Sequence, residues 1–330
     1  MKKKKRQIYL STAFCIFFVV ILISIYQVSR YVELAKYASA SEDRSYYSAE
    51  QTPAITYNGK QYRYNTDIRT IVFLGIDKTG ALTQQEQFQQ AGQSDVILLL
   101  SMNSKTKQYF ILPVNRDTMI DMTVYGIFGD VLGTETHQLT LAYGYGDGSP
   151  ISGENTLTAL GKLFHQIPFT GYIACPTDTV SIVNDAVGGI TVTVEDDFSG
   201  YDSSLVQGTS VTLKGEQAIH FVRGRSLIGD GTNETRMKRQ EQFYNGLLTK
   251  VRGMDTNTLL GLYDRIISYT KSDLSKTDIT SYLSLLPDDS FAGMYHIDGK
   301  SIANNGFMEF YPDQNALQQL ILKLYFTESK

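Results

Sequence analysis

The segment ILPVNRDTMIDM, residues 111–122, ends an apolar run directly in the pair Arg116-Asp117. Two more carboxylates occupy comparable places. Asp77 closes TIVFLGID (70–77) and Asp95 opens DVILLLSMN (95–103). Short β-branched and apolar runs of this kind read as central strands covered on both faces. Loops just beyond strand ends are where α/β sheets bind ligands. Two aspartates at neighbouring strand ends could share a hard, oxygen-seeking cation such as Mg2+, which often bridges to substrate phosphates. Taken singly, such an aspartate is more often a turn former or a cap.

The second chemical set is basic. Arg223, Arg225, Arg236 and Arg239 fall within 17 residues. On a helix, Arg236, Arg239, Gln240 and Phe243 stand at i, i+3, i+4 and i+7, so they share one face. That face runs on into Leu247 and is therefore partly buried. A buried arginine needs an anionic partner, because its charge cannot be shed. Carboxylates of the chain could supply it as an ion-pair network. A phosphate or pyrophosphate could supply it through the bidentate fork of the guanidinium. Spacing alone leaves both open.

These residues require an alternating α/β scaffold. KQYFILPV (107–114) is a third strand, and the polar SKTK before it makes a tight turn, so the strands on either side pair antiparallel. ENTLTALGKLFHQI (154–167) is an amphipathic helix with Asn155 as its N-cap. TDTVSIVNDAVGGITVTV (177–194) reads as a helix stopped by Gly188-Gly189, then a strand. KGEQAIHFVRGR (214–225) is a helix running into an extended VRGR, across which Arg223 and Arg225 alternate. A strong helix covers 234–253 with Gly253 as its stop, and later helices are expected at 257–270, 277–286 and 313–326. The reading is one α/β domain over 66–330.

The chain has 330 residues, 42% of them hydrophobic, enough for one large domain or two modest ones. Five of its 30 basic residues lie in the first seven positions, leaving 25 against 34 acidic residues, a net −9, for the rest. A mildly acidic body lacks the basic footprint that nucleic-acid binding requires. The basic cluster (1–7) precedes IYLSTAFCIFFVVILISIY, an uncharged run without Pro or Gly. Its length matches the roughly 20 residues of a membrane-crossing helix and exceeds the apolar core of a cleavable signal peptide. A single transmembrane helix over 8–28 is expected. The positive-inside rule puts residues 1–7 in the cytoplasm and the rest outside the plasma membrane, with 29–65 as an extracellular stalk. Cys15 lies in the anchor and Cys175 is the lone cysteine beyond it, so no internal disulfide holds the body together. Four histidines, none at HExxH spacing, give no zinc hydrolase.

In series, VFLGID (72–77), QSDVILLLSMNSKTKQYFILPVNRDT (93–118), LAYGYGDG (141–148), IVNDAVGGITVTV (182–194), LKGEQAIHFVRGR (213–225) and TRMKRQEQ (235–242) resemble the LytR-CpsA-Psr family of membrane-anchored bacterial proteins. The resemblance covers about 70–250 and is carried by the order of the pieces. It implies an α/β/α sandwich with a central mixed sheet and an apolar pocket for a polyprenyl chain. It implies transfer of a glycopolymer (teichoic acid, capsule or another wall polysaccharide) from a polyprenyl-pyrophosphate carrier to peptidoglycan, with Mg2+ as cofactor. By position, Asp77 and Asp95 match the Mg2+-associated aspartates, and Arg116 the arginine of RDT. Arg223 and Arg225 match the paired arginines, and Arg236 and Gln240 the helix-borne phosphate contacts. Asp95 and Asp117 are both open as the base that takes the acceptor's proton.

The chain departs from the family pattern at several places. Gln93 stands where many members carry Arg, Gln138 and Thr140 where many carry Lys and Asn, Asp147 for a Gly and Asn233 for an Asp. An extra Gln-rich stretch, TQQEQFQQAGQ, separates Asp77 from Asp95. Losing a charge-assisted phosphate contact costs roughly 1.5–3 kcal/mol. The alternatives to a transferase are therefore a non-catalytic binder of polyprenyl lipid or wall polymer, and a hydrolase of polyprenyl-pyrophosphoryl saccharides.

Overall fold

The computed structural model describes residues 52–224, 228–229, 231, 233–283 and 290–329. The basic tail (1–7), the expected membrane helix (8–28) and Arg225 lie outside the described residues. No helix among those described is long and apolar enough to cross a membrane.

A six-stranded mixed sheet organises the body. Its order is Lys271–Ser272, Gly171–Pro176, Ile68–Ile76, Ser94–Asn103, Tyr109–Pro113, Phe291–Met294. Ile68–Ile76 pairs parallel with Gly171–Pro176 and antiparallel with Ser94–Asn103. The expected antiparallel pairing of Ser94–Asn103 with Tyr109–Pro113 is present, closed by the turn at Ser104–Lys107, where Asn103 Oδ1 accepts from the amides of Lys105 and Thr106. Alternation along the strands sorts the side chains. Val72, Leu74 and Ile76, with Ile97 and Leu99, enter a core shared with helices Pro150–Leu163 and Gln314–Tyr325. Phe73, Gly75 and Val96 point the other way, toward helices Asp178–Ala186 and Asn233–Val251. Both faces are covered, which is why these strands read as unbroken apolar runs.

Three details differ from the sequence reading. The first helix of the pair begins at Pro150, with Ser149 as its cap and proline in its first turn. Asn155 is instead buried inside it, donating to the carbonyls of Ala142 and Thr123. Arg223 ends the helix Glu216–Arg223 rather than lying on an extended strand. Part of the expected stalk is folded: Ile55–Tyr57 and Lys60–Tyr64 form a hairpin that pairs with the C-terminal strand Phe326–Glu328. Tyr64 is buried there and packs edge-on against Phe326, so the folded body reaches back at least to Ile55.

Candidate functional site: a charged knot at an apolar cavity

Asp95 is aimed by an irregularity in the sheet. Gly75 pairs with Val96, but the next residue, Ile76, pairs with Ser94, so Asp95 is left out of register. A bulge of this kind bends the strand and re-aims one side chain. Gly75 permits it, because a Cβ there would stand 2.9 Å from that of Val96. The flanking backbone is fixed: Ser94 N–H donates to the Thr140 carbonyl and Asp95 N–H to that of Gln93.

Arg116 follows the strand Tyr109–Pro113 in a loop with few free backbone groups. Asn115 Oδ1 accepts from Asp117 N–H, and the Asn115 carbonyl accepts from the Thr118 amide and hydroxyl. The carbonyls of Arg116 and Asp117 accept from Thr140 and Phe310. The Arg116 guanidinium, held by this frame, donates to Asp95 Oδ1 through Nη1, and its Nε lies 3.3 Å from Asp117 Oδ1. Asp117 is only 2% exposed and also accepts from Gln138 Nε2 at 3.1 Å. Gln138 additionally bonds the Met308 carbonyl. This residue, one of the departures from the family pattern, thus braces Asp117.

The helix Asn233–Val251 supplies the second arginine. Its predicted face is real: Arg236, Arg239, Gln240 and Phe243 are all buried. The face divides, however. Arg236 reaches Asp95, with Nη1 3.3 Å from Oδ2. Arg239, a single turn further on, points away to Asp196 and to the carbonyls of Phe221 and Gly224. Gln240 donates to the Val222 carbonyl at 3.2 Å. Asp95 is therefore clamped by two arginines from two elements, while Arg239 belongs to a separate structural network.

The knot sits at the edge of an apolar cavity of about 270 Å³. Asp77, Asp95, Arg223, Arg236 and Gln240 line it together with apolar groups including Phe73, Val183, Phe243 and Leu247. A second cavity of about 280 Å³ is bordered by Arg116 and Asn115 and shares Asp95 and Gln240 with the first. The sequence-predicted site residues that are described are thus brought to two adjoining cavities. Asp117 lines neither.

The metal expectation can be judged by its donors. Among the described residues no three or more His, Cys, Asp or Glu side chains converge. Mg2+ that binds substrate phosphates usually keeps several waters and takes only one or two protein carboxylates. Asp77 and Asp95, on the wall of one cavity, fit that sparse donor set. Asp77 is positioned by the Gln93 amide, which donates to Oδ1 at 2.6 Å. Gly92 is essential to this contact. Its φ is +88°, and a Cβ there would meet Asp77 Oδ1 and Lys78 Cγ, each at 2.8 Å. Gly92→Ala is expected to displace the Asp77 carboxylate and to destabilise the fold by about 1–2 kcal/mol, through left-handed strain and crowding. A thermal melt and a Mg2+ titration of the variant check both effects; unchanged values for both would show that the loop adapts freely.

Cys175 also lines the apolar cavity. Burial pushes its thiol up to about 12, partly offset by a bond with Thr179. The nucleophilic thiolate is thus suppressed at neutral pH. In a Cys15→Ser background, Cys175 is expected to react with a thiol reagent at pH 8 roughly 10²-fold more slowly in the native chain than after denaturation.

These features have parallels among known proteins. The LytR_cpsA_psr family matches residues 29–324. The Enterococcus faecalis polyisoprenyl-teichoic acid–peptidoglycan teichoic acid transferase TagU is 27% identical over 244 residues, 73% of this chain and 70% of that protein. The Bacillus subtilis transferase TagV is 26% identical over 265 residues, 76% of this chain and 62% of its own length. The fold is shared with a Streptococcus agalactiae protein (TM-score 0.62, 20% identity, 78% of this chain and 88% of that one). It is shared also with the crystal structure of B. subtilis TagV (TM-score 0.59, 21% identity, 79% and 96%). The match over residues 29–324 takes in the Asp95–Arg116–Arg236 knot, the mixed sheet and the bordering cavities, and the chain belongs to the LytR-CpsA-Psr family.

Proposed function

We propose that this chain transfers a glycopolymer from a polyprenyl-pyrophosphate carrier to peptidoglycan, at the outer face of the plasma membrane, held there by residues 8–28. The observation that carries this reading is the apolar cavity whose rim combines Asp77, Asp95, Arg223 and Arg236. Teichoic acid transfer, named for the family relatives, supports the reaction class. A polyprenyl chain needs apolar walls, and its pyrophosphate needs fixed cations at their edge. Phosphoryl transfer is mainly positioning and charge neutralisation.

In this reading Arg116, Arg223, Arg225 and Arg236 hold the pyrophosphate, and Gln240 fixes the helix that carries Arg236. The acceptor hydroxyl forms a bond to the glycan-bearing phosphorus. The bond from that phosphorus to the bridging oxygen breaks, and polyprenyl phosphate departs with the oxygen. The hydroxyl proton goes to a phosphate oxygen and leaves with the departing polyprenyl phosphate, while Asp95, which borders both cavities, keeps Arg116 and Arg236 in place. Asp117, enclosed by Arg116 and Gln138, is a positioning residue. Asp77 and Asp95 would hold Mg2+, which supplies further neutralisation of phosphate charge when bound.

The test uses the full chain in detergent micelles with a polyprenyl-pyrophosphoryl saccharide. Release of polyprenyl phosphate is expected to depend on peptidoglycan fragments and to fall on chelation. Release without an acceptor identifies a hydrolase. Tight lipid binding with no release under either condition identifies a non-catalytic binder and overturns the proposal.

A further inference from the structure

Four of the ten large apolar side chains that stand exposed among the described residues fall in one stretch of six. They are Ile127, Phe128, Val131 and Leu132, and Phe128 is 84% exposed. All four sit at the tip of the hairpin formed by Met119–Tyr125 and Val131–Gln138. The fold alone does not call for them, since turns between strands are ordinarily polar. The tip is nevertheless firmly built. Gly126 N–H donates to the Asp130 carbonyl, Gly129 N–H to that of Gly126 and Phe88 N–H to that of Ile127. The Phe88 ring lies 5.5 Å from that of Tyr125, and a Cβ on Gly129 would stand 2.7 Å from it. A second segment of the chain therefore props the tip.

The patch has the size and character of a lipid contact. It presents roughly 400 Å² of apolar side chain, in the range of functional surface patches. A stable protein interface buries about 800 Å² on each partner, twice what this patch offers. The tip is a protrusion, around which lipid can close without a preformed pocket. From Asp117 to Gly161 the sequence has no Lys or Arg, so nothing here attracts phosphate headgroups and the contact is apolar. Asp130 turns back over Gly126, where a Cβ would stand 2.5 Å from its Oδ1. The internally paired backbone of the turn suits shallow burial, because lipid offers no hydrogen bonds.

The length of chain before the folded body adds a reason. The 26 residues from 29 to 54 join the expected membrane helix to the first strand. They can span up to about 90 Å, so the tether alone fixes neither the height nor the tilt of the site above the bilayer. The hairpin can fix both, because it is rooted in the site. Met119 follows Arg116-Asp117-Thr118 directly, and Gln138, at the end of the returning strand, donates to Asp117. We propose that residues 127–132 insert into the interfacial layer of the bilayer as a second membrane contact that sets the stance of the site. This rests on the reading above that residues 8–28 hold the chain at a membrane and that its substrate is a membrane lipid.

The chain contains no tryptophan, so one introduced indole supplies the whole signal. The full chain carrying Phe128→Trp, reconstituted in phosphatidylcholine vesicles, is expected to show blue-shifted emission and quenching by dibromo-phosphatidylcholine. Quenching should be strongest for bromines near the glycerol end of the chains, matching burial of about 5–10 Å, and high salt should leave it unchanged. Lys105→Trp, in the exposed turn at the opposite end of strand Ser94–Asn103 from Asp95, is the water-facing control. Phe128→Asp/Leu132→Asp is expected to slow release from a vesicle-embedded carrier about tenfold or more, the loss of two apolar insertions, and to leave release from a micelle-dispersed carrier unchanged. Bromolipid quenching of Phe128→Trp no greater than that of Lys105→Trp overturns the contact. So does protection from aqueous acrylamide without bromolipid quenching, which identifies a protein, such as a second copy, as what covers the tip. An equal loss in micelles and vesicles for the double variant overturns the role in setting the stance of the site. Strong quenching in a chain that releases no polyprenyl phosphate leaves the contact standing and overturns the transferase reading instead.

Discussion

Arg116→Ala is expected to lower polyprenyl phosphate release by about 10²–10³-fold, the scale of removing one preorganised donor from a charge-stabilising site. The preorganisation is visible in the loop. Asn115, Thr118, Thr140 and Phe310 fix the backbone around Arg116, and Asp95 and Asp117 hold its guanidinium from two sides. A group positioned in advance needs no reorganisation as charge develops. Removing it has a second consequence, since Asp117 is almost fully buried and would lose the guanidinium beside it. Arg116→Lys separates the effects. Lysine restores the charge but not the planar fork, so stability should return while most of the rate stays lost. A thermal melt beside single-turnover release reads both quantities. Wild-type turnover in Arg116→Ala would remove Arg116 from the site altogether.

The strand ends and the helix face were legible because each is a local pattern. Asp77, Asp95 and Arg116 adjoin unmistakable apolar runs, and the i, i+3, i+4, i+7 spacing put Arg236 and Gln240 on one buried face. Which way a side chain points on that face was not legible. Arg236 and Arg239 have similar burial, and only the placement of Asp95 and Asp196 tells them apart. The bulge at Gly75/Ile76 was equally hidden, since it is a relation between two strands and belongs to neither. Arg223 was misread because a short helix ending in Arg-Gly has no apolar period long enough to exclude an extended segment. The hairpin at Ile55–Tyr64 could have been found. Asn58-Gly59, both in the left-handed region, is a strong two-residue hairpin signal between alternating residues. Its third strand, however, comes from Phe326–Glu328, at the far end of the chain, and no local signal announces such a pairing.

Arg239→Ala is expected to be the most destabilising single change on the arginine face, at about 3–5 kcal/mol or on the order of 10 °C in Tm. Arg239 is 6% exposed. Its Nη1 pairs with Asp196, Nε donates to the Phe221 carbonyl at 3.1 Å, and Nη2 donates to the Gly224 carbonyl. Its guanidinium carbon also lies 5.5 Å from the centre of the Phe198 ring, which stacks on Phe221. One side chain thus ties the helix Asn233–Val251 to the end of Glu216–Arg223 and to the segment after strand Thr191–Thr193. Truncation leaves a carboxylate and two carbonyls without this donor and opens a void beneath Phe198. Arg239→Met/Asp196→Leu, which removes the charge pair together, should recover part of the loss, because an unpaired buried charge costs more than a pair exchanged for apolar groups. The contrast is with Arg236→Ala, whose larger effect should fall on turnover because its partner, Asp95, borders both cavities. A melt of Arg239→Ala within about 2 °C of wild type, combined with loss of release at a temperature where the fold is intact, would exchange the roles of the two arginines.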